Sequence, residues 1–492
     1  MDARIRRVGL ALLVAFGLAF AQVNRIQALD AERLADDPAN AARRIVRQQE
    51  VDRGRILARD GTVLAESAPI RGTRRFRRIY PEGPLSGAVT GYLSTIYGPS
   101  KLERAMDAVL AGRAPELAST TLLDLLSGAA TRGGDVVTTI DPAVQRAAAD
   151  ALGDQPGAVV AIDPATGEIL ALVANPTADP NRLAALRGPL VRAAWEELNA
   201  DPEKPLLSRA QEELFPPSST FKLVTAAAAL AAGYGPDSLW DNPPSLDLPD
   251  TTATLDNFGG EHCLDGAARI TLADALRVSC NVVFGEIGLA LGADRLVAQA
   301  RAFGFGPDTS ADLVPFEVPF EEGVVPDPAY FADRTPAIAL SAIGQDEVLA
   351  NPLQMALVAA AIGNGGVLME PHLVLEIRDR DGAVVRRTEP RVWGRPMTPE
   401  AAAALGAMMA GVVRSGTGTA AQVPGIEVAG KTGTAQHGGG PIPHAWFTCF
   451  APLDAPRVAI AVLVLDGGSL GSDATGGRIA APIAKAVLEA AL

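Results

Sequence analysis

Lysine is nearly missing from this 492-residue sequence. Of 43 basic residues only five are lysines, Lys101, Lys204, Lys222, Lys431 and Lys485, so wherever a simple positive charge suffices the chain uses arginine. Positive charge is outweighed overall: 57 acidic residues leave a net charge of −14, which argues against a nucleic-acid-binding protein. Histidine is scarce too. The four, His262, His372, His437 and His444, fall mostly in segments that read as loops, where surface or packing roles are the expectation, and no histidine-based triad competes for the chemistry. The three cysteines, Cys263, Cys280 and Cys449, match no zinc spacing, and an odd count cannot pair completely within one chain. No metal site and no cofactor is implied. Asp60, Asp163 and Asp466 read as turn or strand-end carboxylates rather than catalytic ones.

What the chain does have begins at its N-terminus. Arg4, Arg6 and Arg7 precede an uncharged run from Val8 to Val23. A membrane span needs roughly 20 residues, which this run reaches when extended to Ile5 and Ile26 with snorkelling arginines. A cleaved signal peptide ending at Ala19-Phe20-Ala21 is the rival reading; the anchor is preferred, with the arginines in the cytoplasm and the remainder exported. Residues 27–50 are polar and read as helical. Asp60-Gly61 marks a β-hairpin within Val51–Ser67. The basic cluster Arg71–Arg78 reads as a solvated strand edge in preference to a binding patch. Helix is expected near Leu102–Leu110. From Asp135 onward come a strand at Val136–Ile140, a helix at Pro142–Leu152, and a hairpin at Gly157–Asn175 turning at Asp163–Gly167. Buried helices are expected at Leu353–Ile362 and Ala401–Val413, strands at Glu427–Gln436, Ala445–Ala451 and Val458–Asp466, and a terminal helix at Ala480–Leu492. Helices grouped between an early hairpin and late strands are an α+β pattern.

The stretch with the most chemical content is Phe215-Pro216-Pro217-Ser218-Ser219-Thr220-Phe221-Lys222. Two prolines block a helix before Ser218, and Thr220–Ala232 then reads as a good helix former, placing Ser219 in its first turn. Three residues on, Lys222 lies one turn above on the same face, within reach of the serine hydroxyl. A serine needs a base to become a nucleophile; a lysine buried near another cation can lose its proton and act as one, whereas arginine cannot. The helix start adds N–H donors for an oxyanion. Alone, S-x-x-K is a weak signal. Two later stretches strengthen it: Ser279-Cys280-Asn281, after an apolar helical run and read as carried by that helix, and Lys431-Thr432-Gly433-Thr434 after a strand pattern. The order S-x-x-K, S-x-N, K-T-G is that of β-lactamases and penicillin-binding proteins.

On these motifs, together with the Arg53-Gly-Arg-Ile-Leu-Ala-Arg-Asp-Gly hairpin, the Arg78-Ile-Tyr-Pro stretch and His444-Ala-Trp-Phe, the sequence resembles a class B penicillin-binding protein of the penicillin-binding protein A type over nearly its whole length. The resemblance implies a penicillin-binding/β-lactamase-like transpeptidase domain, an antiparallel sheet flanked by helices, at 135–492. It also implies an N-terminal pedestal at 27–134, a transmembrane anchor at 8–26 and a cytoplasmic tail at 1–7. By the same resemblance Ser219 is the acylated nucleophile, Lys222 its base, Ser279 a proton relay and Asn281 a holder of the donor peptide. Lys431 supplies positive field for the terminal carboxylate, and Thr432 and Thr434 donate hydrogen bonds. Gly433 leaves the strand edge open to an extended peptide, and the backbone N–H groups of Ser219 and Thr434 form the oxyanion hole. The implied substrates are D-Ala-D-Ala stem peptides of peptidoglycan, the implied inhibitors β-lactam antibiotics, and the implied partner an integral-membrane glycan polymerase. A D,D-carboxypeptidase, a β-lactamase and a non-catalytic penicillin-binding sensor are the alternatives. Pro217 in place of the usual glycine, and Asp346 after Gly344-Gln345, depart from the commoner pattern. Cys263 and Cys280, both extracytoplasmic, are expected either to form a disulfide or to leave Cys280 a buried free thiol.

Overall fold

A computed structural model of the chain describes residues 2–28, 49–117, 132–257, 260, 262–306, 316–435 and 442–492. His437 and most of the 27–50 stretch therefore lie outside the described residues. The N-terminal run forms one helix, α1 (Asp2–Ala28), in which Arg6–Ile26 is long and apolar enough to cross a membrane. Its large side chains are bare: Leu13 and Phe16 are 71% and 74% exposed.

Strands β1 (Ile56–Leu57), β2 (Val63–Pro69), β3 (Phe76–Ile79) and β4 (Asp135–Thr138) enter a first sheet. Strands β5 (Gly157–Ile162) and β6 (Ile169–Asn175) enter a second. β7 (Val374–Arg378) and β8 (Val384–Arg387) return to the first sheet, whose order is β8-β7-β4-β1-β2-β3. β9 (Ala429–Ala435), β10 (His444–Ala451) and β11 (Val458–Val464) complete the second, ordered β9-β10-β11-β5-β6 and antiparallel throughout. The expected hairpins at Asp60-Gly61 and at 163–167 both form, with Gly61 and Gly167 at positive φ. β3 is an edge strand, but Arg78 departs from the expected solvated face. Its side chain is buried against Glu103, which also holds Arg53, at 2.6 and 2.7 Å. Burial alone would raise the Glu103 carboxyl; Arg78 and Arg53 outweigh it and hold the group below its ordinary range.

The second sheet is apolar on both faces because both faces are covered. Along β11, Val458, Ile460, Val462 and Val464 pack into one core with α2 (Pro142–Leu152) and the terminal helix, while Ala459, Ala461 and Leu463 pack into the other. That second core holds α3 (Lys222–Ala231), α4 (Leu272–Arg277), α5 (Asn281–Ala302), α6 (Thr335–Ala342) and α7 (Pro352–Gly363). α8 (Pro399–Ser415) and α9 (Ala481–Ala491) follow in the chain. Four helices start alike, with an acceptor side chain and then proline: Asp141-Pro142, Asp179-Pro180, Asn351-Pro352 and Thr398-Pro399. The acceptor satisfies a free N–H, and proline sits where its missing N–H costs nothing. This explains why α7 and α8 begin ahead of the apolar runs that announce them.

Candidate active site

Three segments converge on a cleft of about 300 Å³ lined by Ser218, Ser219, Ser279, Asn281, Thr432 and Thr434 among others. The first is the turn ahead of α3. Ser219 lies in a single 3₁₀ turn, Ser218–Thr220, before the α-helix starts at Lys222. The turn is pinned from two sides: Ser218 N donates to Gly344 O at 2.8 Å, and Ser218 Oγ donates to Thr434 O at 2.8 Å. Ser218 is held at φ +49°, and a Cβ on Gly344 would stand 2.2 Å from Ser218 O, so position 344 must be glycine for the turn to seat. Ser219 itself is half-buried and faces the cleft.

The second segment is Ser279-Cys280-Asn281. The sequence suggested that Ser279 rides on a helix; instead it occupies the joint between α4 and α5, at φ +62°. Asn257 caps the new helix from outside, its Oδ1 accepting from Asn281 N and Val282 N at 3.0 and 3.1 Å. A disulfide joins Cys263 to Cys280 and ties this joint to the preceding loop, leaving Cys449 buried as the free thiol.

The third is edge strand β9. In an antiparallel pair the N–H and C=O of one residue point the same way. Thr434 O accepts from Ser218 Oγ and Thr432 O from Lys431 Nζ, so these alternate residues turn their peptide groups away from β10. The Thr434 N–H thus faces the turn that carries Ser219. A Cβ on Gly433 would come within 3.0 Å of Trp446 and 3.1 Å of Pro217 O.

Two lysines with no exposed surface meet at Ser279. Lys222 Nζ donates to Ser279 O at 2.8 Å and to Asn281 Oδ1 at 2.7 Å, with Ser279 Oγ at 3.4 Å. Lys431 Nζ donates to Ser279 Oγ at 2.8 Å. Burial first, and the nearby Lys431 second, push the Lys222 amine well below the ordinary lysine range; burial brings Lys431 down to about 7. Two short bonds account for both N–H groups of a neutral amine and leave the Lys222 lone pair available for a proton.

Sequence reasoning missed other cleft residues. Thr417, beyond the C-terminus of α8, places its Oγ1 2.6 Å from Thr432 Oγ1, and its backbone N–H donates to Arg277 O at 3.3 Å. Gln345, Thr475 and Gly477 line the same cleft. Gly344-Gln345 stands out in the sequence only through the departure at Asp346, and no short-range pattern marks Thr417, Thr475 or Gly477, since each arrives from a different part of the chain. Of the histidines, His444 is buried in β10 and accepts from Asp466 N at 3.1 Å, while His372 is buried beside β7 and His262 bonds Asn242 O. None of these three lines the cleft. Asp60 and Asp163 accept from Thr62 N and Ala165 N, as turn carboxylates do.

A family model described as the penicillin binding protein transpeptidase domain matches residues 157–489, and one described as the penicillin binding protein A dimerisation domain matches 53–136. The chain is 42% identical to the peptidoglycan D,D-transpeptidase PbpA of Mycolicibacterium smegmatis, over 100% of this chain and 99% of that one. It is 40% identical to PbpA of Mycobacterium tuberculosis over the same shares. The solved structure of penicillin-binding protein A from M. tuberculosis as a ceftriaxone acyl-enzyme complex superposes with a TM-score of 0.86 at 40% identity, covering 91% of this chain and 100% of that one.

Proposed function

The chain belongs to the penicillin-binding protein transpeptidases, as a serine D,D-transpeptidase of peptidoglycan that β-lactams acylate, and from that premise we propose how its residues carry the reaction. Lys222, as the neutral amine, takes the proton of Ser219 Oγ while that oxygen attacks the carbonyl carbon of the donor's penultimate D-alanine. The N–H groups of Ser219 and Thr434 hold the oxyanion. Collapse expels the terminal D-alanine, whose amine collects a proton through Ser279 Oγ from the lysine pair. The acceptor amine then attacks the ester and returns a proton along the same path, restoring Ser219. Lys431 and the hydroxyls of Thr432 and Thr434 face the donor carboxylate. Gly433 leaves room for the donor to lie along β9, and Asn281 holds its amide.

The observation that carries this reading is the meeting of two fully buried lysines, from different elements, at the hydroxyl of Ser279. Burial makes a lysine costly to protonate, so a site that collects two such amines is suited to proton transfer. Labelling with a reporter penicillin and intact-mass analysis test it. The wild-type chain should gain one adduct at Ser219 and Ser219→Ala none; an adduct on the alanine variant would refute the assignment. Sustained cross-linking turnover separates the transpeptidase from a sensor that acylates once.

α1 is the single-pass anchor, with residues 1–7 cytoplasmic, residues 27–134 a pedestal and residues 135–492 the extracytoplasmic transpeptidase domain. Residues 27–134 lack the length and carboxylate motifs of a glycan-polymerising domain. An integral-membrane glycan polymerase therefore supplies the strands and meets the anchor and pedestal.

A further inference from the structure

The turn between β2 and β3 has no part in the chemistry, yet it concentrates charge of the scarcer sign. Arg71, Arg74, Arg75 and Arg77 are all exposed, and none pairs with a carboxylate among the described residues. Elsewhere in the same sheet pairing is the rule: Arg53 and Arg78 meet Glu103, Arg55 meets Asp135, and Arg59 meets Glu168. The turn is closed by its own bonds, Ile70 N to Arg75 O at 2.8 Å, Thr73 N to Ile70 O at 3.1 Å and Arg75 N to Thr73 Oγ1 at 3.1 Å. Four guanidiniums so displayed repel one another unless something anionic lies against them.

Topology says which way they face. β2 runs antiparallel to β1 with Ala65 opposite Ile56, so its last residue, Pro69, comes level with Asp52. The arginine turn thus lies at the end of the sheet where the chain arrives from α1. The opposite end meets the transpeptidase domain, through Arg59 N to Ile140 O at 3.0 Å, Arg59 to Glu168 at 3.1 Å and Thr139 Oγ1 to Ile169 O at 2.7 Å.

We propose that the Arg71–Arg77 turn is a docking surface for the phosphate headgroups of anionic lipids in the membrane that holds α1. Guanidinium pairs bidentately with phosphate, and a cluster of basic side chains beside a membrane surface is a recognised anionic-lipid contact. The net charge of −14 favours this orientation, since such a chain is on the whole repelled from an anionic surface and approaches it best through a basic patch. The proposal rests on α1 as the anchor and leaves the reaction untouched.

The test uses the full chain in nanodiscs of either neutral phosphatidylcholine or a mixture with phosphatidylglycerol. Phenylglyoxal modification is followed at each arginine by mass spectrometry, with exposed Arg395 as internal reference. Modification of Arg71, Arg74, Arg75 and Arg77 should slow by about 10-fold in the anionic discs and recover in salt near 0.5 M, while Arg395 is unaffected. Reporter-penicillin acylation should be equal in both discs, which keeps the catalytic reading separate. Equal arginine modification with the chain retained in both discs would overturn the docking surface alone; loss of the chain from the discs would overturn the anchor and the surface together. Protection by millimolar inorganic phosphate in neutral discs would mark a free-phosphate site and overturn the lipid assignment.

Discussion

At the scale of the residue, the two buried lysines make the sharpest claims. Lys222→Arg keeps the charge but removes the group that can deprotonate, and we expect acylation of Ser219 by a reporter penicillin to fall by at least about 100-fold while the fold is retained. Lys431→Arg should be milder, weakening acylation while leaving some. Wild-type acylation by Lys222→Arg would mean that the base is another group. Burial, and Lys431 beside it, push the Lys222 amine well below the ordinary lysine range, so the acylation rate should fall on the acid side as Lys222 takes up a proton. The stability consequence has the opposite sense to that of a salt-bridged lysine. The folded chain binds the protons of Lys222 and Lys431 less tightly than the unfolded chain, unfolding takes protons up, and stability rises with pH from about 7 towards about 10. In a Lys222→Met/Lys431→Met double variant, thermal melting should lose that rise. Thr417 makes a third claim. As a positioning residue for the Thr432 hydroxyl, its change to valine should raise KM for donors with a free terminal carboxylate by about 5-fold, with kcat nearly unchanged and Thr417→Ser restoring it. A fall in kcat alone would assign Thr417 a different part. The motif residues were legible because serine, lysine and asparagine at fixed spacing have few other reasons to occur together. Thr417 and Asn257 were not, because their meaning lies in contacts that join segments far apart in the chain.

At the scale of the element, strands with a continuous apolar run and helices opened by a capping residue and proline were readable from their own residues. The pairing of β7 with β4 was not, since nothing local to Val374–Arg378 says that it returns to the first sheet. Arg78 shows the same limit. Arg77 beside it is exposed, and the burial of Arg78 follows from Glu103, 25 residues away, and from the Gly54 carbonyl, which accepts from its guanidinium at 2.7 Å. That triad gives a direct test. Glu103→Leu strips buried Arg78 of its carboxylate and leaves Arg53 only Asp107, and it should destabilise the pedestal by about 3–5 kcal/mol, read as an early melting transition. An unchanged melting curve would show that Arg53 and Arg78 reach water in solution. The joint at Ser279 was misassigned to a helix for a related reason: a left-handed backbone at serine follows from what Asn257 and the disulfide impose, and the residue itself carries no sign of it.

At the scale of the whole molecule, the pedestal and the catalytic domain are joined close to the nucleophile. Lys101, in the pedestal, reaches Glu212 at 2.6 Å, seven residues ahead of Ser219. Exchanging the anchor and pedestal for an unrelated membrane anchor should still leave Ser219 open to penicillin while abolishing function in growing cells; normal growth would show that the pedestal meets no partner. Drug selection acts on the same atoms. The turn that carries Ser219 is already fixed by Gly344 O and Thr434 O, and Lys222 and Lys431 already meet at Ser279, so with Ser219 as the proposed nucleophile substrate and antibiotic are served by one prearranged set of atoms. A lineage under β-lactam pressure has no variant of those atoms that spares itself. Surviving substitutions should gather among the other residues that line the cleft, Val278, Ile343, Gln345 and Thr475, which make none of those contacts.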